Sequence, residues 1–121
     1  MDIKHITKKT YKEEILQEEG FVLVDYWAPW CAPCRMLSPI LEQISNESKD
    51  VKICKINVDE EPELAAEQKV RSIPMLTLFK DGKIINKMVG LKKKNEILSM
   101  IELEKRAFSG NMVQTAELKE D

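Results

Sequence analysis

Apolar and polar positions along this chain follow two different periods, and the switches between them mark out its elements. Phe21-Val22-Leu23-Val24-Asp25-Tyr26-Trp27 is an apolar, β-branched run broken only by Asp25, which predicts a buried strand. From Arg35 to Ile44 the apolar residues Met36, Leu37, Ile40, Leu41 and Ile44 recur at helical spacing, and Pro39 within that helix predicts a kink because it removes a backbone hydrogen bond. Val51-Lys52-Ile53-Cys54-Lys55-Ile56-Asn57-Val58 alternates while staying largely apolar, a second strand. Strand, long helix, strand predicts a right-handed βαβ unit with parallel strands.

The flanking segments extend this unit. Ile3 to Ile6 reads as a short edge strand and Thr7 to Gln17 as a helix, with Thr10 and Glu13 at capping-box spacing, Tyr11, Ile15 and Leu16 as its apolar face, and Gly20 marking its end. Glu60 to Lys69 reads as a short helix entered through Pro62. Met75 to Phe79 is a strand opened by Pro74; Asp81-Gly82 is a two-residue hairpin signal, so Lys83 to Val89 should return antiparallel to it and end at Gly90. Asn95 to about Phe108 closes the pattern as an amphipathic helix with Ile97, Leu98, Ile101 and Leu103. The order βαβαβαββα predicts an α/β fold with a central mixed β-sheet flanked by helices on both faces.

At 121 residues the chain holds one domain with a proper core and not two. Apolar residues make up 43%, which argues against disorder. A formal net charge of −2 offers no electrostatic case for nucleic acid or an anionic membrane. The expected partner is another protein, met through shape and apolar contact. The first residues, Met1 to Lys9, lack the apolar core of a secretory signal, and no run approaches the ~20 apolar residues needed to span a bilayer, so a cytoplasmic location is expected. The domain is expected over 1–108. In residues 109–121 the apolar pattern thins out, which reads as a flexible, solvated tail or as a short added helix docked through Met112, Val113 and Leu118.

Reaction chemistry concentrates in Trp30-Cys31-Ala32-Pro33-Cys34-Arg35, at the junction of the central strand and the long helix. Pro33 suits the first helical turn, whose backbone N–H groups lack intrahelical partners. Those N–H groups and the helix dipole favour a thiolate at Cys31, which makes it the candidate nucleophile. Cys34, one turn on and on the same face, can close a small ring with it while its sulfur points inward, as a resolving thiol. Half of a zinc site, or two inert core cysteines, share this spacing; the strand-to-helix position favours redox chemistry. With three cysteines in all, a structural disulfide framework is not indicated. Cys54 reads as a buried inert thiol. A metal site from Cys31, Cys34 and Cys54 is disfavoured because the strands should aim Cys54 elsewhere, and no metal is expected. His5, the one histidine, reads as a surface residue near the chain end.

The stretch Val24-Asp25-Tyr26-Trp27-Ala28-Pro29-Trp30-Cys31-Ala32-Pro33-Cys34 resembles the active site of the thioredoxin family, and the element order extends the resemblance over roughly residues 3 to 107. The family usually has Gly-Pro between its cysteines where this chain has Ala32-Pro33. The resemblance implies the thioredoxin fold and a protein-disulfide reductase working through a reversible Cys31-Cys34 dithiol/disulfide. It further implies Asp25 as proton relay to the inner thiol and Lys55 as its charge partner. A buried unpaired carboxylate costs several kcal/mol, so something must justify Asp25 in an apolar strand; an outward-facing Asp25 and a surface Lys55 are the alternative, disfavoured because the flanking Val24 and Tyr26 could not then both be buried. The resemblance implies a cis Pro74, although most X–Pro bonds are trans, and an apolar client-docking rim of Trp30, Ala32, Pro33, Ile73, Val89, Gly90 and Leu91. Leu91 is larger than the residue common there. The implied protein is a monomer without a bound cofactor, meeting disulfide-containing clients and drawing electrons from a separate thioredoxin reductase. Two rivals are a disulfide oxidase or isomerase on the same fold and a non-catalytic binding subunit. Ala32-Pro33 offers no histidine between the cysteines to favour the first, and an intact cysteine pair counts against the second.

Overall fold

The computed structural model describes residues 2–109. In chain order the elements are β1 (Lys4–His5), α1 (Lys8–Tyr11) continued by a π-helical segment (Lys12–Leu16), β2 (Phe21–Trp27), α2 (Ala32–Glu47), β3 (Val51–Asn57), α3 (Pro62–Glu67), β4 (Met75–Lys80), β5 (Lys83–Val89) and α4 (Lys94–Ala107). They form one five-stranded sheet in the order β1-β3-β2-β4-β5. β1, β3 and β2 run parallel, while β4 and β5 are antiparallel to their neighbours. This is the mixed sheet the element order predicts.

β2 lies at the centre and is covered on both faces, which is why its sequence is a continuous apolar run instead of an alternation. On one face Val22, Val24, Tyr26, Cys54, Ile56, Met75 and Phe79 pack against Tyr11, Ile15 and Leu64 of the first and third helices. On the other, Leu23, Val51, Ile53, Leu76 and Leu78 meet Leu37, Leu41 and Ile44 of α2 and Ile97, Met100 and Ile101 of α4. Each of the fully buried Leu and Ile side chains contributes roughly 1.5–3 kcal/mol by leaving water. Together they form the rigid floor under the strand-to-helix junction.

The β4–β5 hairpin turns where the sequence indicates. Asp81 (φ 51°) and Gly82 (φ 82°) both adopt left-handed backbone, the combination that lets two residues connect twisted strands. Glycine is required there for a second reason, since a Cβ on Gly82 would collide with the Leu16 carbonyl oxygen. Asp81 Oδ1 accepts a hydrogen bond from the Gly20 N–H at 2.7 Å, tying the hairpin to the start of β2.

Several expectations change in detail. The first helix is capped by Thr7 and Thr10, with the Thr7 N–H donating to Thr10 Oγ1 at 3.0 Å, and not by Thr10 and Glu13. The chain turns at once after Ile6, whose N–H is held by the Lys55 carbonyl at 2.9 Å. Leu16, Met36 and Leu103 are exposed, because a helix on a flat sheet buries only a narrow stripe, as with Leu37, Leu41 and Ile44 on α2. For Leu16 the π-helical bond from the Gln17 N–H to the Lys12 carbonyl (2.8 Å) also rotates the last turn. Pro39 lies inside α2, on its exposed side. β3 stops at Asn57, whose Oδ1 accepts from the N–H of Asp59 at 2.9 Å and so turns the chain. Pro62 does open α3 as expected, though the helix is shorter than Glu60 to Lys69. The tail expected over 109–121 lies, from residue 110 on, outside the described residues.

Candidate active site

β2 ends at Trp27, and a short loop through Ala28, Pro29 and Trp30 delivers Cys31 to the N-cap position of α2. Cys31 keeps extended backbone (φ −90°, ψ 107°) while its Sγ accepts a hydrogen bond from the Cys34 N–H at 3.3 Å. Pro33 occupies the first turn, where its missing N–H costs nothing. Arg35 donates from its guanidinium to the Pro29 carbonyl at 2.8 Å and pins the loop to the helix.

Cys31 and Cys34 are joined as a disulfide with their Cα atoms 5.2 Å apart. Both are nearly covered, Cys31 at 5% exposure and Cys34 at 1%, so the outer sulfur is less open than its place at a helix end suggests. Trp27, Val58 and Ile73 pack against the Ala28-Cys31-Cys34 cluster. The two sulfurs differ in their surroundings more than in exposure. Cys31 Sγ lies 3.9 Å from the Ile73 carbonyl oxygen. Cys34 is among the residues lining an open groove of about 820 Å³, together with Trp27, Ser38 and Lys55.

Asp25 lies on β2, two residues before the strand ends at Trp27. It is wholly buried and is the register partner of Lys55 across the parallel β2–β3 ladder, so both side chains project toward α2. Lys55 Nζ is 3.9 Å from Asp25 Oδ2, too far for a hydrogen bond. Both carboxyl oxygens of Asp25 lack a hydrogen-bond partner among the described residues. Burial therefore pushes the Asp25 carboxyl up from 3.8 to about 7, with the Lys55 charge only partly opposing it.

The Ile73–Pro74 peptide bond is cis, and Ile73 lies just before β4, outside the paired strands. The Gly90 N–H donates to the Pro74 carbonyl at 2.8 Å, which brings the end of β5 beside it. Val89 and Leu91 flank that glycine with exposed side chains, and Trp30, Ala32 and Pro33 are exposed on the helix side. Cys54 stands apart, fully buried on the opposite face of the sheet among Val24, Tyr26 and Ile56. Burial pushes its thiol up to about 11. His5 is exposed.

Four participants are not evident from the sequence reading. The Asp59 carboxylate accepts the Trp30 indole N–H at 3.0 Å. Ala28 packs with the two cysteines in one buried cluster. Ser38 accepts a hydrogen bond from Lys55 Nζ at 3.0 Å, and the Trp27 ring lies 4.8 Å from the same ammonium. Ser38 and Trp27 carry a readable signal: Ser38 is four residues after Cys34 on one helix, and Trp27 two after Asp25 on one strand, so each shares a face with a site residue. No local pattern points to Asp59.

The thioredoxin family model matches residues 2–103. A thioredoxin of Rickettsia bellii (strain RML369-C) is 48% identical over 99 residues, spanning 80% of this chain and 93% of the relative. Thioredoxin 1 of Synechococcus elongatus is 42% identical over 98 residues, spanning 80% and 92% respectively. A thioredoxin of Pyropia yezoensis is 40% identical over 102 residues, spanning 84% and 95%.

Proposed function

Because this chain belongs to the thioredoxin family and is a thiol-disulfide oxidoreductase that reduces protein disulfides, we propose that Cys31 is its nucleophile, Cys34 its resolving thiol and Asp25 its proton relay. In the reduced protein the Cys31 thiolate attacks one sulfur of a client disulfide. A Cys31–client disulfide forms, and the other client sulfur leaves as a thiolate that takes up a proton. Cys34, losing its proton to Asp25, then attacks the Cys31 sulfur, closes the intramolecular disulfide and expels the second client thiol. The client gains two electrons and two protons, and the Cys31-Cys34 dithiol supplies the electrons. The observation that carries this division is the Cys34 N–H aimed at Cys31 Sγ at the start of α2, since the same donor and the helix dipole stabilise a thiolate there.

A carboxyl that ionises near neutrality suits proton transfer at working pH, and burial brings Asp25 to about 7. Lys55 is its charge partner, keeping that value from rising further. Ile73, whose carbonyl lies beside Cys31, Pro74, and the rim of Trp30, Ala32, Pro33, Val89, Gly90 and Leu91 receive an extended client segment next to its disulfide. The domain spans 1–108 and works as a monomer without a bound cofactor. A separate thioredoxin reductase restores the dithiol in the cytoplasm. Among the described residues no helix is long and apolar enough to cross a membrane.

The assignment is tested on non-reducing gels of cell extracts. Cys34→Ser should accumulate covalent client adducts, because attack proceeds and resolution does not. Cys31→Ser should accumulate none. Adducts on Cys31→Ser, or on neither variant, would reverse or remove the assigned roles.

A further inference from the structure

The ammonium of Lys55 has three protons to donate, and its surroundings engage them unequally. One goes to Ser38 Oγ at 3.0 Å. The face of the Trp27 ring lies 4.8 Å away, a cation–π contact. Asp25 Oδ2, the carboxyl oxygen paired with it among the described residues, stays at 3.9 Å. A lysine and a carboxylate left to themselves in a buried site close to about 2.8 Å, because a charge-assisted hydrogen bond is stronger than an open pair. Here the carboxyl oxygens are unpaired while the ammonium is held by a neutral hydroxyl.

Ser38 stands on the inner side of α2, one turn past Cys34. Cys34, Trp27, Ser38 and Lys55 all line the groove that opens to solvent, whereas Asp25 does not. The hydroxyl thus draws the ammonium toward the groove and away from the carboxyl.

We infer that Ser38 is a positioning residue for proton transfer: its hydroxyl holds the Lys55 ammonium back from Asp25, so that the carboxyl stays free to exchange a proton with Cys34 instead of being locked into an ion pair. The inference rests on the reading of Asp25 as proton relay. Closing the pair would stabilise the carboxylate and lower its affinity for a proton. The other charged groups bordering this region are Arg35 and Glu42 on α2 and Asp2 and His5 at the N-terminal edge, which line the same groove. β4 sets only Leu76 opposite Asp25. Replacing Ser38 leaves all of these in place, so a change in Asp25 titration reports on Lys55.

The test uses the full chain in its disulfide form, with the Asp25 carboxyl followed by carbon-13 NMR across pH, and the reduced protein for the pH profile of disulfide reduction. In Ser38→Ala the Asp25 midpoint should fall by about one pH unit, as expected for an opposite charge brought into contact. The acid limb of the turnover profile should move with it. Ser38→Thr keeps the hydroxyl and should titrate as the parent does. A midpoint that stays or rises in Ser38→Ala, or an equal shift in Ser38→Thr, overturns the role of Ser38. A midpoint that falls while the turnover profile stays put upholds the hold on Lys55 and instead removes Asp25 from proton transfer.

Discussion

Two lysines on β3 sit in the same sheet and are treated in opposite ways. Lys52 projects toward the first helix, where its Nζ donates to the Glu14 carbonyl at 2.9 Å, to Glu14 Oε1 at 2.6 Å and to Glu18 Oε1 at 2.9 Å. Desolvation lowers its proton affinity, but the bonds to Glu14 and Glu18 outweigh that and leave it raised. Every proton of that ammonium has an oxygen. Lys55, three residues on and facing α2, has one neutral hydroxyl, one aromatic face and a carboxylate held out of reach. The first arrangement is complete and fastens β3 to the first helix. The second leaves both carboxyl oxygens of buried Asp25 without a hydrogen-bond partner among the described residues, a state that costs stability. A carboxyl near its midpoint can both hold and release a proton, which is what the proposed relay role of Asp25 requires.

The largest effect that would sharpen this contrast is on stability. The move of Asp25 from 3.8 unfolded to about 7 folded corresponds to roughly 4 kcal/mol. Its sign follows from which state holds the proton more tightly. Between about pH 4 and pH 7 the folded protein keeps a proton the unfolded chain has lost, so stability falls as pH rises and levels off above 7. Asp25→Asn removes that penalty. Urea unfolding of the two proteins should show similar stability at pH 4, with the variant ahead by on the order of 4 kcal/mol at pH 8. Its disulfide turnover should drop most near neutral pH. Equal stability at both pH values would mean the carboxyl is not the unsatisfied group described here.

A smaller effect is expected on the other face. Lys52→Met removes three hydrogen bonds from a partly exposed cluster and should cost on the order of 1 kcal/mol. Because Lys52 lies across the sheet from the cysteines, the pH profile of turnover should keep its shape and midpoint. A shifted midpoint would break the distinction between the two lysines.

The smallest effect concerns Cys54, on the face that Lys52 shares. With its thiol pushed up to about 11 by burial, only about one molecule in a thousand carries a thiolate there at pH 8. Iodoacetamide applied to the reduced protein at that pH should modify Cys31 and leave Cys54 untouched until urea unfolds the chain, as read by mass spectrometry. Modification of Cys54 in the native protein would show an opening of that face that the packing does not suggest.

By itself the sequence determined the elements and the place of the chemistry. The run from Phe21 to Trp27, the helical spacing after it, the Asp81-Gly82 turn and the proline-bearing cysteine pair at the strand-to-helix junction all obey rules that act over a few residues, so each is written locally. Asp25 stands out as the one charged residue in an otherwise apolar run, and its role is read from the family resemblance. Tertiary structure alone decided what each side of an element meets. The β2–β3 register made Asp25 and Lys55 partners; the seating of α2 on the sheet brought Ser38 to the ammonium; the chain before β4 laid Ile73 over Cys31. Packing likewise left Leu16, Met36 and Leu103 in solvent, since the width of a buried stripe depends on the surface it lies against. Desolvation, which moves the Asp25 carboxyl to about 7, is a property of everything packed around a group, and those atoms come from elements scattered along the chain.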